Sequence, residues 1–482
     1  MRGDGRLVVG VDLDPVVSTN PYIDEAVAID VASPLPFPKD TFDLIVSDST
    51  FEHVSDATRI AYELDRVVNC EHLLRPLVLW PEVTNSSKLM KFLHIIRSLD
   101  PRLGGPIEAL GQLTRAMRAI GHQTEVVTLD SPRAPWVRAF GALAHGLGPS
   151  TGSYGYSPCF VPWLRQHASD YDAIFVRGLW QYHSFGTWCA LHGSKFKYFV
   201  FTHGMLDPWS KRRYPIKHIK KWLYWPWAEY RVLRDAQAVL FTSEDERMLA
   251  RQSFWLYRCR EAVVSYGTAA PSGDPEAQKQ IFLERHPELS GKRLLLFMSR
   301  IHPKKGCDLL IKAFARVLGC DSNWRVVMAG PDQIGWRKRL IDLTRTLGVA
   351  DRVCWTGMLT GDLKWGLLRS AEVLALPSHS ENFGIVVAEA LACGLPVLIS
   401  NRVNIWREIV EDKAGIVASD TLEGTEGLIR SWIDLSADDR SQMGERARQC
   451  FFNRFEIRKA ASALVELVSS ADISPRHGDN LL

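Results

Sequence analysis

Two glutamates separated by seven residues, Glu381 and Glu389, stand in the run Ser380-Glu381-Asn382-Phe383-Gly384-Ile385-Val386-Val387-Ala388-Glu389-Ala390-Leu391-Ala392-Cys393-Gly394-Leu395-Pro396. The spacing is common by chance; the surroundings are not. Glu389 lies in a segment that is apolar on every face, which marks a buried helix. A carboxylate there costs several kcal/mol unless donors await it. Either neighbouring backbone satisfies it as a structural group, or it accepts from the hydroxyls of a sugar. Glu381 precedes the helix, so the backbone N–H groups of Asn382, Phe383 and Gly384 lie at a helix N-terminus. Those groups and the helix dipole suit a phosphate or a polarised sugar oxygen.

A second constellation is Ser299-Arg300-Ile301-His302-Pro303-Lys304-Lys305-Gly306, which follows a strand-like run and opens an amphipathic helix with Leu309, Leu310, Ala313, Phe314 and Val317 on one face. A solvated basic loop is the plain explanation for it alone. Beside the glutamate pair, cations at a strand end point to an anion. Thr202-His203-Gly204 also ends a strand-like run, although a lone histidine is more often packing than catalyst. Gly104-Gly105 follows the strand-like run Phe92–Ile96, where glycine serves a tight turn or the close approach of backbone to a phosphate.

The elements that must carry these residues come in two series. Apolar runs at 92–96, 125–129, 173–176, 198–201 and 238–241 alternate with helical spacing such as that of 107–120. After Gly267-Thr268-Ala269-Ala270-Pro271-Ser272-Gly273-Asp274-Pro275, a linker-like stretch, the alternation restarts at 293–297, 324–328, 353–355, 373–376 and 397–399. Each series predicts a parallel doubly wound α/β sheet, and two such domains place a ligand in the cleft outside their carboxyl ends. The expected boundaries are 1–89, 90–266, 267–452 and a last helix at 453–472.

Composition narrows the function classes. The chain has 482 residues and a net charge of +3, too small a basic excess to argue for nucleic acid. Its nine cysteines are scattered and never spaced C-x-x-C, so reduced thiols in a cytosol are expected, without a zinc site. No secretory leader is visible in Met1-Arg2-Gly3-Asp4-Gly5, and the longest apolar stretch, 383–400, is broken by Glu389, Gly394 and Pro396.

The runs Ser299–Gly306 and Ser380–Pro396 together resemble the retaining group 1 (family 4) glycosyltransferases. Thr202-His203-Gly204-Met205-Leu206-Asp207-Pro208-Trp209 resembles members that build bacterial surface polysaccharides. The resemblance covers about 90–470, with the motifs in the family's order. It implies a GT-B fold, two Rossmann-like domains facing a central cleft, and transfer of a sugar from a nucleoside diphosphate sugar to a hydroxyl with retained configuration. It further implies that Glu389 binds the ribose hydroxyls and Glu381 the donor sugar. Arg300 and Lys305 would hold the diphosphate, Gly104 and Gly105 would close over it, and His203 would sit by the transferred sugar. The helix around Ile457–Val468 would pack back on the first domain. No cofactor or metal is expected, since the clearest D-x-D, Asp12-Leu13-Asp14, lies outside the region of resemblance. Two alternatives stay open: another GT-B enzyme, such as a nucleotide-sugar epimerase or a phosphorylase, and a bifunctional methyltransferase–glycosyltransferase.

Residues 1–89 resemble the middle of a class I S-adenosylmethionine methyltransferase, through Val9-Gly10-Val11-Asp12, Asp30 with Leu35-Pro36-Phe37, and Phe42–Val54. The glycine-rich first strand is absent, so a truncated, inert, partial α/β segment is expected. Residues 211–234 are dense in bases and aromatics, with Glu229 the only acid among them. Two readings compete there. One is peripheral docking of a cytoplasmic protein on the inner face of an anionic membrane, with Trp222, Trp225 and Trp227 at the lipid boundary, near a lipid-linked saccharide acceptor. The other is an ordinary helix pair packed in the first domain.

Overall fold

The computed structural model describes residues 9–12, 25–28, 89–103, 105–141, 143–209 and 215–470. The chain divides into a unit ending at Lys88 and a unit beginning at Leu89. In the first unit, β1 (Val9–Asp12) pairs in parallel with β2 (Glu25–Ala28). Asp14, Asp30, Leu35-Pro36-Phe37, Phe42–Val54, Gly104 and 211–214 lie outside the described residues.

The second unit holds two parallel sheets. The first is built from β3 (Lys91–Ile96), β4 (Gln123–Thr128), β5 (Ala144–Gly146), β6 (Ala173–Arg177), β7 (Tyr198–Phe201), β8 (Ala238–Phe241) and β9 (Glu261–Val263), in the order β5-β4-β3-β6-β7-β8-β9. Its helices include α1 (Gly105–Ala119), α2 (Pro215–Tyr224), α3 (Glu229–Asp235) and α4 (Glu244–Ala250). The second sheet is built from β10 (Arg293–Met298), β11 (Trp324–Ala329), β12 (Val353–Gly357), β13 (Val373–Leu376), β14 (Val397–Ser400) and β15 (Gly415–Ala418), in the order β12-β11-β10-β13-β14-β15. Around it lie α5 (Cys307–Leu318), α6 (Gly361–Ser370) and α7 (Ile385–Ala392), and α8 (Ile457–Ser469) ends the described chain.

A strand in a parallel sheet is buried on both faces, so it reads as a continuous apolar run. Leu93, Ile95, Ile174, Val176 and Val200 pack on one face of the first sheet. Phe92, Phe175 and Phe199 pack on the other, with Leu113 and Met117 of α1 and Ile457, Ala461 and Leu464 of α8. The last helix thus completes the first domain's core. Strand order reverses between β3 and β6 and again between β10 and β13. Such switch points open a crevice at the carboxyl ends of the strands. The segments after β10 and β13 are 299–306 and 377–384, so topology delivers both motifs to one crevice. No helix among the described residues is long and apolar enough to cross a membrane.

Candidate active site

Gly306 adopts a left-handed backbone, φ 68°, and a Cβ there would stand 2.1 Å from the carbonyl oxygen of Pro377. Only glycine allows this approach. It locks the loop after β10 against the loop after β13, aided by the His379 N–H donating to the Lys304 carbonyl at 2.8 Å. His302 Nδ1 accepts from the Lys304 N–H at 3.0 Å and shapes the same turn.

The consequence is an ion pair. The ammonium of Lys305, which is buried, donates to Oε2 of Glu381. Burial works to raise the Glu381 carboxyl, but Lys305, then Lys304 and Arg300, outweigh it and hold it below the usual carboxylate range. The Glu381 backbone is fixed by its N–H to the Arg402 carbonyl at 2.9 Å and by the Asn404 N–H to its own carbonyl at 3.1 Å. Arg300 is exposed beside this pair. Lys304 lies 5.0 Å over the Trp209 ring, and burial lowers it.

Glu389 is 5% exposed, within α7. Its donor is not backbone. Lys364 of α6 reaches Oε1 at 2.9 Å and also Oε1 of Glu108, on α1 of the first domain, at 3.3 Å. Burial raises the Glu389 carboxyl against the pull of Lys364. Lys364 escaped sequence reasoning, which offered no signal to pair it with a residue on another helix.

The first domain brings its own groups to this edge. Gly105 opens α1, and a Cβ there would meet Ile385 Cδ1 at 3.0 Å, so the starts of α1 and α7 converge. Asp207 accepts from the Ser380 hydroxyl, and Asn382 Nδ2 donates to Thr242 Oγ1 at 3.1 Å. Gly204 approaches Asn382 so closely that a Cβ would lie 2.9 Å from the Asn382 Cβ. His203, one residue before, has φ 47°. That strained turn is held by Glu246 of α4, which accepts from Thr202 Oγ1 at 2.6 Å, the Gly204 N–H at 2.5 Å and the Thr242 N–H at 2.7 Å. Burial, with Arg177 nearby, pushes His203 down to about 3, so its imidazole is neutral. The ring of Phe383 turns into the core instead, edge-on to Tyr266 and Phe455. Gly384 caps α7 at φ 71°.

Glu246 also went unread in the sequence, although Ser243-Glu244-Asp245-Glu246 carries a capping-box signal that the Ser243 hydroxyl realises by accepting from the Glu246 N–H at 3.2 Å. Beyond Ser380 the cleft widens into a cavity of about 440 Å³ lined by Asp207, Trp209, Asp245, His379, Arg402 and Arg407. The one cluster of potential metal ligands among the described residues is His286, Glu288 and Cys354, on the edge of the second sheet. The described cysteines are all free thiols.

Comparison with known proteins supports this architecture. Residues 104–267 match the model of the glycosyl transferase 4-like domain and residues 278–450 that of glycosyl transferases group 1. Residues 1–71 match a methyltransferase domain. The chain is 32% identical over 165 residues to a D-inositol 3-phosphate glycosyltransferase of Salinispora tropica, covering 33% of this chain and 34% of that protein. A protein of the same name from Kineococcus radiotolerans is 36% identical over 173 residues, 32% of this chain and 39% of the relative. The chain thus spans between a third and two fifths of these relatives' length. Among solved structures, HepE of Anabaena in complex with UDP and glucose superposes with a TM-score of 0.64 at 20% identity, over 79% of this chain and 99% of that one. Sucrose-phosphate synthase from Thermosynechococcus elongatus gives 0.62 at 19% identity, over 79% and 98%. At those identities the likeness speaks for the fold.

Proposed function

We propose, from the premise that residues 104–450 form a glycosyltransferase of GT-B fold behind a methyltransferase-like segment, that the cleft moves a sugar from a nucleoside diphosphate sugar to a hydroxyl with retention. The observation that carries this is the Lys305–Glu381 pair, with Arg300 beside it, set at a strand switch point next to two helix N-termini. Arg300 and Lys305 take the diphosphate, and the converging starts of α1, at Gly105, and α7, at Asn382 to Gly384, add their partial positive charge. Glu381 accepts from the hydroxyls of the transferred sugar, and Glu389 from those of the ribose. His203 stands by as a neutral imidazole that hydrogen-bonds the sugar. No side chain is placed as a nucleophile. The anomeric carbon–oxygen bond breaks with its electrons going to the diphosphate, whose freed oxygen takes the proton of the acceptor hydroxyl attacking from the same face.

A bacterial surface or exopolysaccharide glycan, carried on a lipid, is the acceptor that fits best. The cavity beyond Ser380 includes the charged side chains of Asp207, Asp245, Arg402 and Arg407 in its lining, and the first domain carries an exposed aromatic flank at Trp222, Trp227 and Trp255. The protein then works in the cytoplasm at the inner face of the membrane, without a metal.

The direct test is Arg300→Ala. At about 4 Å, a cation stabilises the leaving diphosphate by ~4 kcal/mol at an effective dielectric of ~20. Solvent screening at this exposed site reduces that, so turnover should fall roughly 10–100-fold, with KM for the donor rising less. Unchanged turnover would remove Arg300 from the reaction, and strict dependence on added manganese would overturn the metal-free clamp.

Glu389→Ala should weaken nucleotide binding by ~1.5–3 kcal/mol, the range for a hydrogen bond to a charged group, seen by calorimetry as a higher Kd. Lys364→Met should reproduce that loss as pH falls. Without the ammonium, burial alone acts on Glu389 and its carboxyl takes up a proton at higher pH than in the parent. A pH-independent affinity in Lys364→Met would contradict this assignment.

A further inference from the structure

Six of the twelve buried side-chain nitrogen and oxygen atoms that lack a hydrogen-bond partner among the described residues belong to His94, Arg97, Arg177, His183 and His203. These residues share one place. His94 is in β3, and Arg177 ends the neighbouring β6, where Ile96 pairs with Arg177 in the sheet register. His203 follows β7, the next strand, and His183 Nε2 lies 2.9 Å from the Arg177 carbonyl oxygen. All six atoms are nitrogens: His94 Nε2, Arg97 Nε, Arg177 Nη1 and Nη2, His183 Nδ1 and His203 Nε2.

Arg177 is the centre of the set. It is 3% exposed, its Nε donates to His94 Nδ1 at 3.1 Å, and neither terminal nitrogen finds an acceptor. Its guanidinium rests 4.6 Å from the centroid of Phe201, a ring that also stacks on His203 at 5.5 Å. Burial lowers it, to about 10, which leaves it charged at neutral pH. The carboxylates close by are engaged. Glu246 is taken by the donors flanking His203, and Glu229, whose Oε1 accepts from the Trp180 N–H at 2.6 Å and the Ser184 hydroxyl at 2.8 Å, makes no ion pair with Arg177. The histidines are held neutral by burial, so they neither balance the guanidinium nor add a second positive charge beside it.

A buried guanidinium with no counter-charge is costly, and its two terminal nitrogens form a fork that matches an oxyanion. The unpartnered fork of Arg177 on β6 and the free Nε2 of His94 on the neighbouring β3 together suit the several oxygens of a phosphoryl group. We propose that Arg177, with His94, forms a phosphate-receiving subsite at the carboxyl end of the first domain's sheet, beside His203, and that the acceptor carries the phosphate. This rests on the proposed function, in which Arg300, Lys305, Glu381 and Glu389 of the second domain hold the donor and the first domain is left to the acceptor. Tyr266 packs edge-on to His203 at 5.7 Å and to Phe383 of the second domain at 5.2 Å, and so stands between this site and the facing domain. Parting of the domains takes Phe383 off Tyr266 and frees that ring, so entry of the acceptor phosphate and opening of the cleft are one event.

The experiment is thermal melting of the full chain with inorganic phosphate added, after whichever of UDP, GDP or ADP stabilises it has filled the donor clamp. A ligand that binds only the folded state raises Tm. The same phosphate-induced rise is expected in the parent and in Arg300→Ala, and at least tenfold weaker apparent phosphate affinity in Arg177→Met. General salting effects are common to all three proteins and cancel in the comparison. An undiminished rise in Arg177→Met, or no rise in the parent, overturns the proposal. Should Arg177→Met not fold, Arg177→Lys keeps the charge without the fork, and an undiminished rise there overturns it equally. Repeating the series with glucose 1-phosphate and with geranyl diphosphate separates a soluble phosphomonoester from an isoprenoid diphosphate as the source. If no nucleoside diphosphate stabilises the chain, the donor reading fails, and that failure is visible before Arg177 is tested.

Discussion

Lys305→Met is expected to abolish measurable transfer and also to cost about 3–5 kcal/mol of folding stability, the range for removing one partner of a buried ion pair. The lysine is buried, and its ammonium is bonded to Glu381, so the variant strands a carboxylate between two loops that glycine has brought together. A double variant, Lys305→Met with Glu381→Leu, removes both charges. Urea unfolding should recover most of the lost stability in the double variant, whereas turnover should stay absent. That split distinguishes a pair kept for chemistry from one kept for folding. Near-parental turnover in Lys305→Met would sink the clamp. The pH dependence has a definite sign. Glu381 is held below its unfolded value, so its contribution to stability is full above that value and is lost as pH falls through the depressed one. In Lys305→Met that support is gone and protonation relieves the stranded carboxylate, so the variant's stability deficit relative to the parent should shrink as pH falls.

How much of this was legible in the sequence depends on how local each cause is. The central strands were, because β6, β7, β8, β13 and β14 are buried along their whole length and read as apolar runs. The edge strands β5, β9 and β15 were not. They have three or four residues, only partly buried, and their pairing comes from a neighbour and not from their own pattern. The two GT-B motifs were legible as sequence and reach one crevice because the strand order reverses between β10 and β13. Their partners were not. Lys364 meets Glu389 only because α6 and α7 pack as they do, and Glu108 joins them from the other domain. His203 was singled out, but the carboxylate that bends its turn, Glu246, sits 43 residues further on, and Arg177 becomes unusual only once its lack of a partner is seen. Periodicity reports burial. It does not report what a buried charge will meet.

The flank of the first domain corrects one expectation and sharpens the last prediction. Trp225 does not reach a lipid boundary: it is fully buried, stacked 4.2 Å on Phe254, and donates its indole N–H to the Leu256 carbonyl at 2.6 Å. Lys221 likewise turns inward, 4.4 Å over the Trp180 ring. Ile219, Trp222 and Leu223, three and four residues apart on α2, are instead exposed at 59%, 47% and 60%. Trp255, 68% exposed, extends the patch with its ring 6.4 Å from that of Trp222, and Trp227 is exposed at 69% on the same flank of the sequence. Lys220 is exposed on the same helix. An exposed apolar patch with Lys220 beside it is unusual on a free surface and suits the interface of an anionic membrane. Each Lys or Arg near such a leaflet adds roughly 1 kcal/mol, so attachment should be real but reversible. In sedimentation with vesicles of anionic lipid, the chain should pellet at low salt and release as salt rises. Trp222→Ser with Leu223→Ser should reduce binding at any salt, and Lys220→Glu should reduce it chiefly at low salt, because screening already weakens that contribution at high salt. All three changes lie away from Glu381, so transfer to a water-soluble acceptor should be retained while transfer to a lipid-linked one falls. Equal binding to neutral and anionic vesicles would refute the electrostatic part, and parental binding in the Trp222 and Leu223 double variant would refute the patch itself.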